Sequence, residues 1–221
     1  MAKSPLQGPS SPPASGRAAR QLVVFLHGVG ADGNDLIGLA PYFAELLPDA
    51  EFLSPHAPFS FDMAPVGHQW FSLQDRSPAN ILRGIKAAAP LLNAFLDEAL
   101  AERQLTDRQL ALVGFSQGTM MALYVALRRA APCAALLGYS GILAAPDLLP
   151  AELRSRPPVL LIHGEDDEVV PFGFLSLAKD ALALMNVEVD ALACDGLGHG
   201  ISDEGLAAGT RFLAEHLDPH R

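Results

Sequence analysis

Residues 109–129 read Gln-Leu-Ala-Leu-Val-Gly-Phe-Ser-Gln-Gly-Thr-Met-Met-Ala-Leu-Tyr-Val-Ala-Leu-Arg-Arg. The first five residues form an apolar run of the kind that fits a strand buried on both faces. The last eleven, Thr119 to Arg129, read as a strong helix. Between them lies Gly114-Phe115-Ser116-Gln117-Gly118, a Gly-x-Ser-x-Gly pentapeptide. Glycines on either side of Ser116 let strand and helix meet at a sharp turn. That turn lifts the hydroxyl to the carboxyl edge of a sheet, where a substrate can reach it. The pentapeptide occurs by chance in many proteins, so its weight comes from the strand before it and the helix after it. The competing reading is an ordinary strand-to-helix turn.

Working outward, the same alternation recurs. Leu22-Val23-Val24-Phe25-Leu26, Glu51-Phe52-Leu53-Ser54, Ala134 to Tyr139, Pro158 to Ile162 and Val187 to Leu192 all read as short strands. A helical region is expected over 79–103, with Pro90 kinking or dividing it, and a final helix over 202–217. Near-continuous apolar strands alternating with helices predict an α/β fold, with a mostly parallel sheet covered on both faces. No repeat or linker interrupts residues 21–221, which read as a single domain. Residues 1–20 are rich in Pro, Ser, Gly and Ala, lack an apolar h-region, and are expected to be a flexible tail rather than a secretory signal.

Composition excludes several classes of function. The 221 residues carry a formal net charge of −10 and no basic cluster, which argues against nucleic acid as a partner. No apolar run approaches the ~18 residues of a membrane span. The two cysteines, Cys133 and Cys194, have no metal-ligand spacing and suit a reducing cytoplasm. The histidines and acids lack His-Glu-x-x-His or similar spacing, so no metal is expected.

In a parallel sheet, ligands sit outside the carboxyl ends of the strands, so the loops there deserve the closest reading. The first is His27-Gly28-Val29-Gly30-Ala31-Asp32-Gly33-Asn34-Asp35-Leu36. It contains Gly-x-Gly-x-x-Gly with Glu51 some way on, the outline of a dinucleotide fingerprint and hence of an oxidoreductase. Two features oppose that reading. Asp32 and Asp35 would repel a pyrophosphate, and Glu51 opens its strand, far from where a ribose-binding acid belongs. A plain glycine-rich turn is a second reading. The third is an oxyanion hole, with the Val29 N–H paired with the N–H of Gln117, the residue after the nucleophile.

The loop His163-Gly164-Glu165-Asp166-Asp167-Glu168-Val169-Val170-Pro171 crowds four acids at a strand end. A solvated acidic turn is one explanation. The other is a carboxylate that orients a catalytic imidazole, and composition alone does not separate Asp166 from Asp167. The last loop brackets His199 between Gly198 and Gly200. Three of the seven histidines follow the serine and the acids, as the order serine, acid, histidine requires, and of these His199 alone lies in a loop just after a strand. His27 and His163 are expected to bond locally and His216 and His220 to be solvated, while His56 and His68, in a Pro-rich loop, read either as pocket lining or as ordinary loop residues. The long loop over 54–73 is rich in Pro and aromatics, and its length points to function or disorder. Met63, Trp70 and Phe71 read either as walls of an acyl pocket or as a cluster packing the loop down.

These segments together resemble the phospholipase/carboxylesterase family of α/β-hydrolases, which includes acyl-protein thioesterases and small bacterial carboxylesterases. The matching stretches are Leu26 to Leu36, Gln69-Trp70-Phe71, Gly114 to Gly118, His163-Gly164 with Asp167 to Pro171, and Gly198 to Ile201. The family often has Pro where Glu168 stands, a change expected to alter the loop and keep the carboxylate. The resemblance spans about 21–217 and leaves the tail unmatched. It selects Asp167 over Asp166 and implies a catalytic set of Ser116, Asp167 and His199. It further implies an α/β-hydrolase fold without a large lid, no cofactor, a frequent homodimer, and cleavage of small acyl esters. Thioesters and lysophospholipids remain alternative substrates. A receptor that has kept the fold without the chemistry is an alternative function.

Overall fold

The computed structural model describes residues 5–217. In chain order its elements are β1 (Ser10–Ser11), β2 (Gln21–Leu26), α1 (Gly33–Ile37), α2 (Ala40–Ala44), β3 (Ala50–Leu53), β4 (Phe59–Ser60), β5 (His68–Gln69), α3 (Pro78–Arg103), β6 (Leu110–Phe115), α4 (Gln117–Ala126), β7 (Ala135–Tyr139), α5 (Leu149–Glu152), β8 (Val159–Gly164), α6 (Gly173–Leu184), β9 (Val189–Cys194) and α7 (Asp203–His216). Seven strands form one sheet in the order β1-β3-β2-β6-β7-β8-β9, and β4 pairs with β5 in a small separate ribbon. All pairings in the large sheet are parallel except β1 with β3. This is the mostly parallel α/β-hydrolase arrangement the sequence predicts.

The central strands β2, β6, β7 and β8 are almost wholly apolar because each face has its own cover. Leu22, Val24, Leu26, Leu110, Leu112 and Leu136 join one core, filled from α3, α4 and α6 by residues such as Leu92, Met121 and Leu182. Val23, Phe25, Ala111, Val113, Leu137 and Ile162 turn to the opposite core, closed by Phe43 of α2 and Leu213 of α7. Successive strand residues point to opposite faces, so a strand covered on both sides has no polar alternation to show. The helix α4 is buried along its whole length, which is why its apolar residues run all round rather than in a stripe.

Two expectations change. Pro90 does not divide α3, which runs unbroken for 26 residues. The proline sits on the solvent side, where water can take the carbonyl that loses its helical donor. The segment expected as a flexible tail is held against the sheet from residue 5 onward. Leu6 is buried, Ser10 and Ser11 pair with Leu53 and Phe52, and the Ser54 and His56 amides donate to the carbonyls of Pro9 and Gln7 at 3.0 and 2.8 Å. Residues 1–4 lie outside the described residues. No helix among those described is long and apolar enough to cross a membrane.

Candidate active site

Ser116 joins β6 to α4 with φ 54° and ψ −116°, a left-handed conformation costing about 1–3 kcal/mol that the surroundings must impose. The flanking glycines do not themselves take positive φ. They are required by close approach. A Cβ at Gly114 would lie 2.5 Å from the Thr119 backbone, and one at Gly118 would lie 1.8 Å from the Leu26 carbonyl oxygen. The turn is pinned to β7, whose Tyr139 carbonyl accepts from the Ser116 amide at 2.9 Å and from the Thr119 hydroxyl at 2.8 Å.

Across β7, the loop after β8 carries Asp167 with its side chain fully buried. Asp167 Oδ2 lies 2.7 Å from His199 Nδ1. Oδ1 accepts from the amides of Val169 at 2.9 Å and Val170 at 2.8 Å. Burial alone would raise the carboxyl pKa. The hydrogen bonds from His199, Val170 and Val169, with the attraction of His199, outweigh it and hold Asp167 below the usual carboxylate range. Glu165, Asp166 and Glu168 all face solvent, so the acidic crowd largely relieves its repulsion in water. The Asp166 and Glu165 amides bond to the carbonyls of Leu197 and Cys194, each at 3.0 Å. Those bonds tie the acid's loop to the loop that bears His199. The His199 ring lies 4.9 Å from that of Phe115, beside the elbow.

A cavity of about 700 Å³ opens over Ser116, with Val29 and Gln117 in the same wall. The two residues expected to donate to the oxyanion thus border the same space as the serine. The dinucleotide reading finds its acids otherwise engaged. The Asp32 carboxylate caps α1, accepting from the Asn34 amide at 2.7 Å. Glu51 lies in β3 near its start, bound through both oxygens to Arg103.

The expected acyl-pocket residues are not in that wall. Met63 is 62% exposed, whereas Trp70 and Phe71 are buried in the core. Trp70 donates its indole N–H to the His27 carbonyl at 3.0 Å. The reading that packs this loop down is the correct one for Trp70 and Phe71, because their polar and apolar surfaces are both consumed by the fold. The lining comes instead from Leu73, Ile81, Leu82, Met120, Leu143 and Phe174, with Arg76 and Asp147 also in the wall. The sequence signals of the apolar ones are those of ordinary core residues.

The other histidines bond locally. His27 Nδ1 lies 2.7 Å from the Gly28 carbonyl, and its Nε2 accepts from the Ala57 amide at 2.9 Å. His163 Nε2 lies 2.9 Å from the Val170 carbonyl and 3.2 Å from Asp167 Oδ2. His56 and His68 stack on each other at 5.1 Å and stand outside the cavity wall. His216 bonds to the Phe212 carbonyl, and His220 lies outside the described residues. Cys133 and Cys194 are buried free thiols, and burial pushes Cys133 up to about 12, far from reactivity.

Comparison with known proteins gives the chain's family. Esterase YpfH of Escherichia coli (strain K12) is 27% identical over 212 residues, covering 96% of this chain and 85% of that protein. Acyl-protein thioesterase 1 of Gibberella zeae is 26% identical over 214 residues, covering 89% and 91%. The crystal structure of esterase PE8 superposes with a TM-score of 0.92 at 42% identity, over 96% of this chain and 99% of that one. The phospholipase/carboxylesterase model matches residues 13–217, through all of the site described and into the segment expected as a tail, and the chain belongs to that family.

Proposed function

We propose that this enzyme, a carboxylic ester hydrolase, works through an acyl-enzyme on Ser116. The observation that carries the reading is a strained serine in the wall of an apolar cavity, with the buried Asp167 carboxylate bonded to a half-buried His199 beside its elbow. His199 takes the Ser116 proton as the hydroxyl attacks the ester carbonyl. The amides of Val29 and Gln117 hold the oxygen as it becomes negative. His199 then protonates the leaving alcohol, and water repeats the sequence on the acyl-enzyme. Asp167 keeps the His199 Nδ1 protonated, which leaves Nε2 free to act as base.

Soluble esters with short to medium acyl chains suit the cavity, whose size falls within the ~300–1,000 Å³ of small-molecule sites. Thioesters form a second substrate class, favoured by the relative named an acyl-protein thioesterase. Lysophospholipids are tested alongside them. A cytoplasmic setting fits the two buried free thiols. A homodimer rests on the family resemblance alone, and sedimentation decides it. The deciding experiment combines Ser116→Ala with fluorophosphonate labelling, using p-nitrophenyl esters of increasing length beside acyl thioesters. Labelling at Ser116 and a loss of at least ~10⁴ in kcat on substitution are expected. A Ser116→Ala variant that keeps more than about a hundredth of the rate would sink the assignment.

A further inference from the structure

The two amides assigned to the oxyanion belong to different segments. Val29 follows β2, and Gln117 opens α4 after β6. The pairing of Leu26 with Gly114 brings the strand ends together, but two N–H groups must converge on one atom far more closely than strand pairing dictates. A 1 Å misplacement in such a site can cost about a hundredfold.

A third segment, His68 to Phe71, is bonded to both. On the first side, the Gly30 amide donates to the His68 carbonyl and the His68 amide to the Ala31 carbonyl, each at 2.8 Å. The Trp70 indole N–H adds its bond to the His27 carbonyl at 3.0 Å. On the second side, the Gln117 side chain uses both of its ends. Its Oε1 accepts from the Trp70 amide at 2.8 Å, and its Nε2 donates to the Phe71 carbonyl at 2.8 Å. Gln117 is 2% exposed and Trp70 is fully buried. A buried amide paired at both ends, and a buried indole with its one donor engaged, have no water to exchange with and hold a fixed geometry. The glycine loop after β2 and the elbow after β6 are thus braced against one strip of chain.

We infer that Gln117 and Trp70 are positioning residues, whose side chains set the separation of the Val29 and Gln117 amides and thereby tune the oxyanion hole. The inference rests on the acyl-enzyme reading above. It gives the Gln117 side chain and the Trp70 ring a role neither has through contact with the acyl chain.

The test uses Gln117→Met, which keeps length and removes both bonds, and Trp70→Phe, which keeps an aromatic ring and removes the indole donor. Three quantities are measured below the melting temperature of each variant: kcat, KM for p-nitrophenyl butyrate, and Kd for a trifluoromethyl ketone whose Ser116 adduct carries an oxyanion. Each substitution is expected to lower kcat about 10- to 100-fold. KM should change less than about threefold, and ketone affinity should weaken by the same factor as kcat. The double variant should lose less than the product of the single losses, since both act on one alignment.

Folded variants with wild-type kcat and ketone affinity would reduce the brace to core packing and overturn the inference. A change confined to KM would do the same. If Gln117→Met fails to fold, Trp70→Phe carries the test alone, and failure of both variants to fold also counts against it. Fluorophosphonate labelling of the wild type separates the two levels. An unlabelled Ser116 removes the acyl-enzyme reading itself, whereas labelled Ser116 with unaffected variants removes only the brace.

Discussion

Two parallel strands end in the same dipeptide, His27-Gly28 after β2 and His163-Gly164 at the end of β8, and the loops that follow do opposite things. Both imidazoles are buried. His27 accepts from the Ala57 amide on Nε2, so its proton must sit on Nδ1 and point to the Gly28 carbonyl. Every bond it makes is to main chain, and the loop beyond it is proposed to supply a main-chain amide, that of Val29, to the oxyanion. His163 points its Nε2 at two acceptors, the Val170 carbonyl and Asp167 Oδ2. That nitrogen must carry the proton, and the loop beyond it offers a side-chain carboxylate. The first loop should therefore tolerate changes of side chain at its functional position, and the second should not.

The sharpest attempt to break this contrast is Asp167→Asn. It should cut kcat by roughly 10⁴, because the amide favours the wrong imidazole tautomer, with Asp166→Asn close to wild type. Equal losses in the two variants would erase the distinction between them. Next is His163→Leu, which removes a hydrogen bond worth about 1 kcal/mol and leaves Asp167 less firmly held. A five- to tenfold fall in kcat is expected, with much of it restored in His163→Gln, whose Nε2 can still donate. A His163→Leu enzyme at full rate would show that this histidine serves only the fold.

Acid stability separates the two loops by a smaller margin. Burial lowers the His27 pKa, and the Gly28 bond offsets only part of that. The folded state therefore refuses a proton that the unfolded chain accepts. Its contribution is whole above the unfolded value of ~6.5 and is lost as pH falls from there through the folded value. The slope reaches at most about 1.4 kcal/mol per pH unit. Denaturant unfolding of His27→Asn should show a shallower decline over that window. Asp167, also lowered, contributes above an unfolded ~3.9 and loses its share only below it. An unchanged slope in His27→Asn would mean the ring is not held neutral. The smallest effects should come from Val29→Ala and Met63→Ser. The first keeps the donating N–H and should change kcat less than about threefold. The second alters an exposed side chain outside the cavity wall, and KM should not move.

What could be read from the chain follows the range of each signal. The run from Leu110 to Ala126 declares strand, elbow and helix locally, and the structure repeats it. A serine, a cluster of acids and a histidine, each just after a strand, stand in one order along the chain and are legible for the same reason. The choice between Asp166 and Asp167 was not legible from composition, because adjacent acids differ only in which one the fold buries. The pocket wall misled more. Trp70 and Phe71 stood out as aromatics in a long loop, yet their partners, the His27 carbonyl and the Gln117 amide, are distant in sequence. The residues that do line the cavity, such as Ile81, Leu82 and Met120, carry the same helical spacing as core residues and could not be told from them. Residues 5–20 misled by composition, since prolines and serines predict little structure and the bonds that order them are made with β3 and the residues flanking it.

A sheet that stopped at β3 would present a row of unsatisfied main-chain donors and acceptors to any extended peptide, including another copy of itself. The segment before β2 occupies that row, Ser10 opposite Leu53 and Ser11 opposite Phe52. Its own outer side is a poor template for a further strand, because Pro9, Pro12 and Pro13 bring no N–H to offer. The stretch of chain with the weakest intrinsic structure is the one that closes this edge of the sheet, leaving β9 as the opposite edge strand.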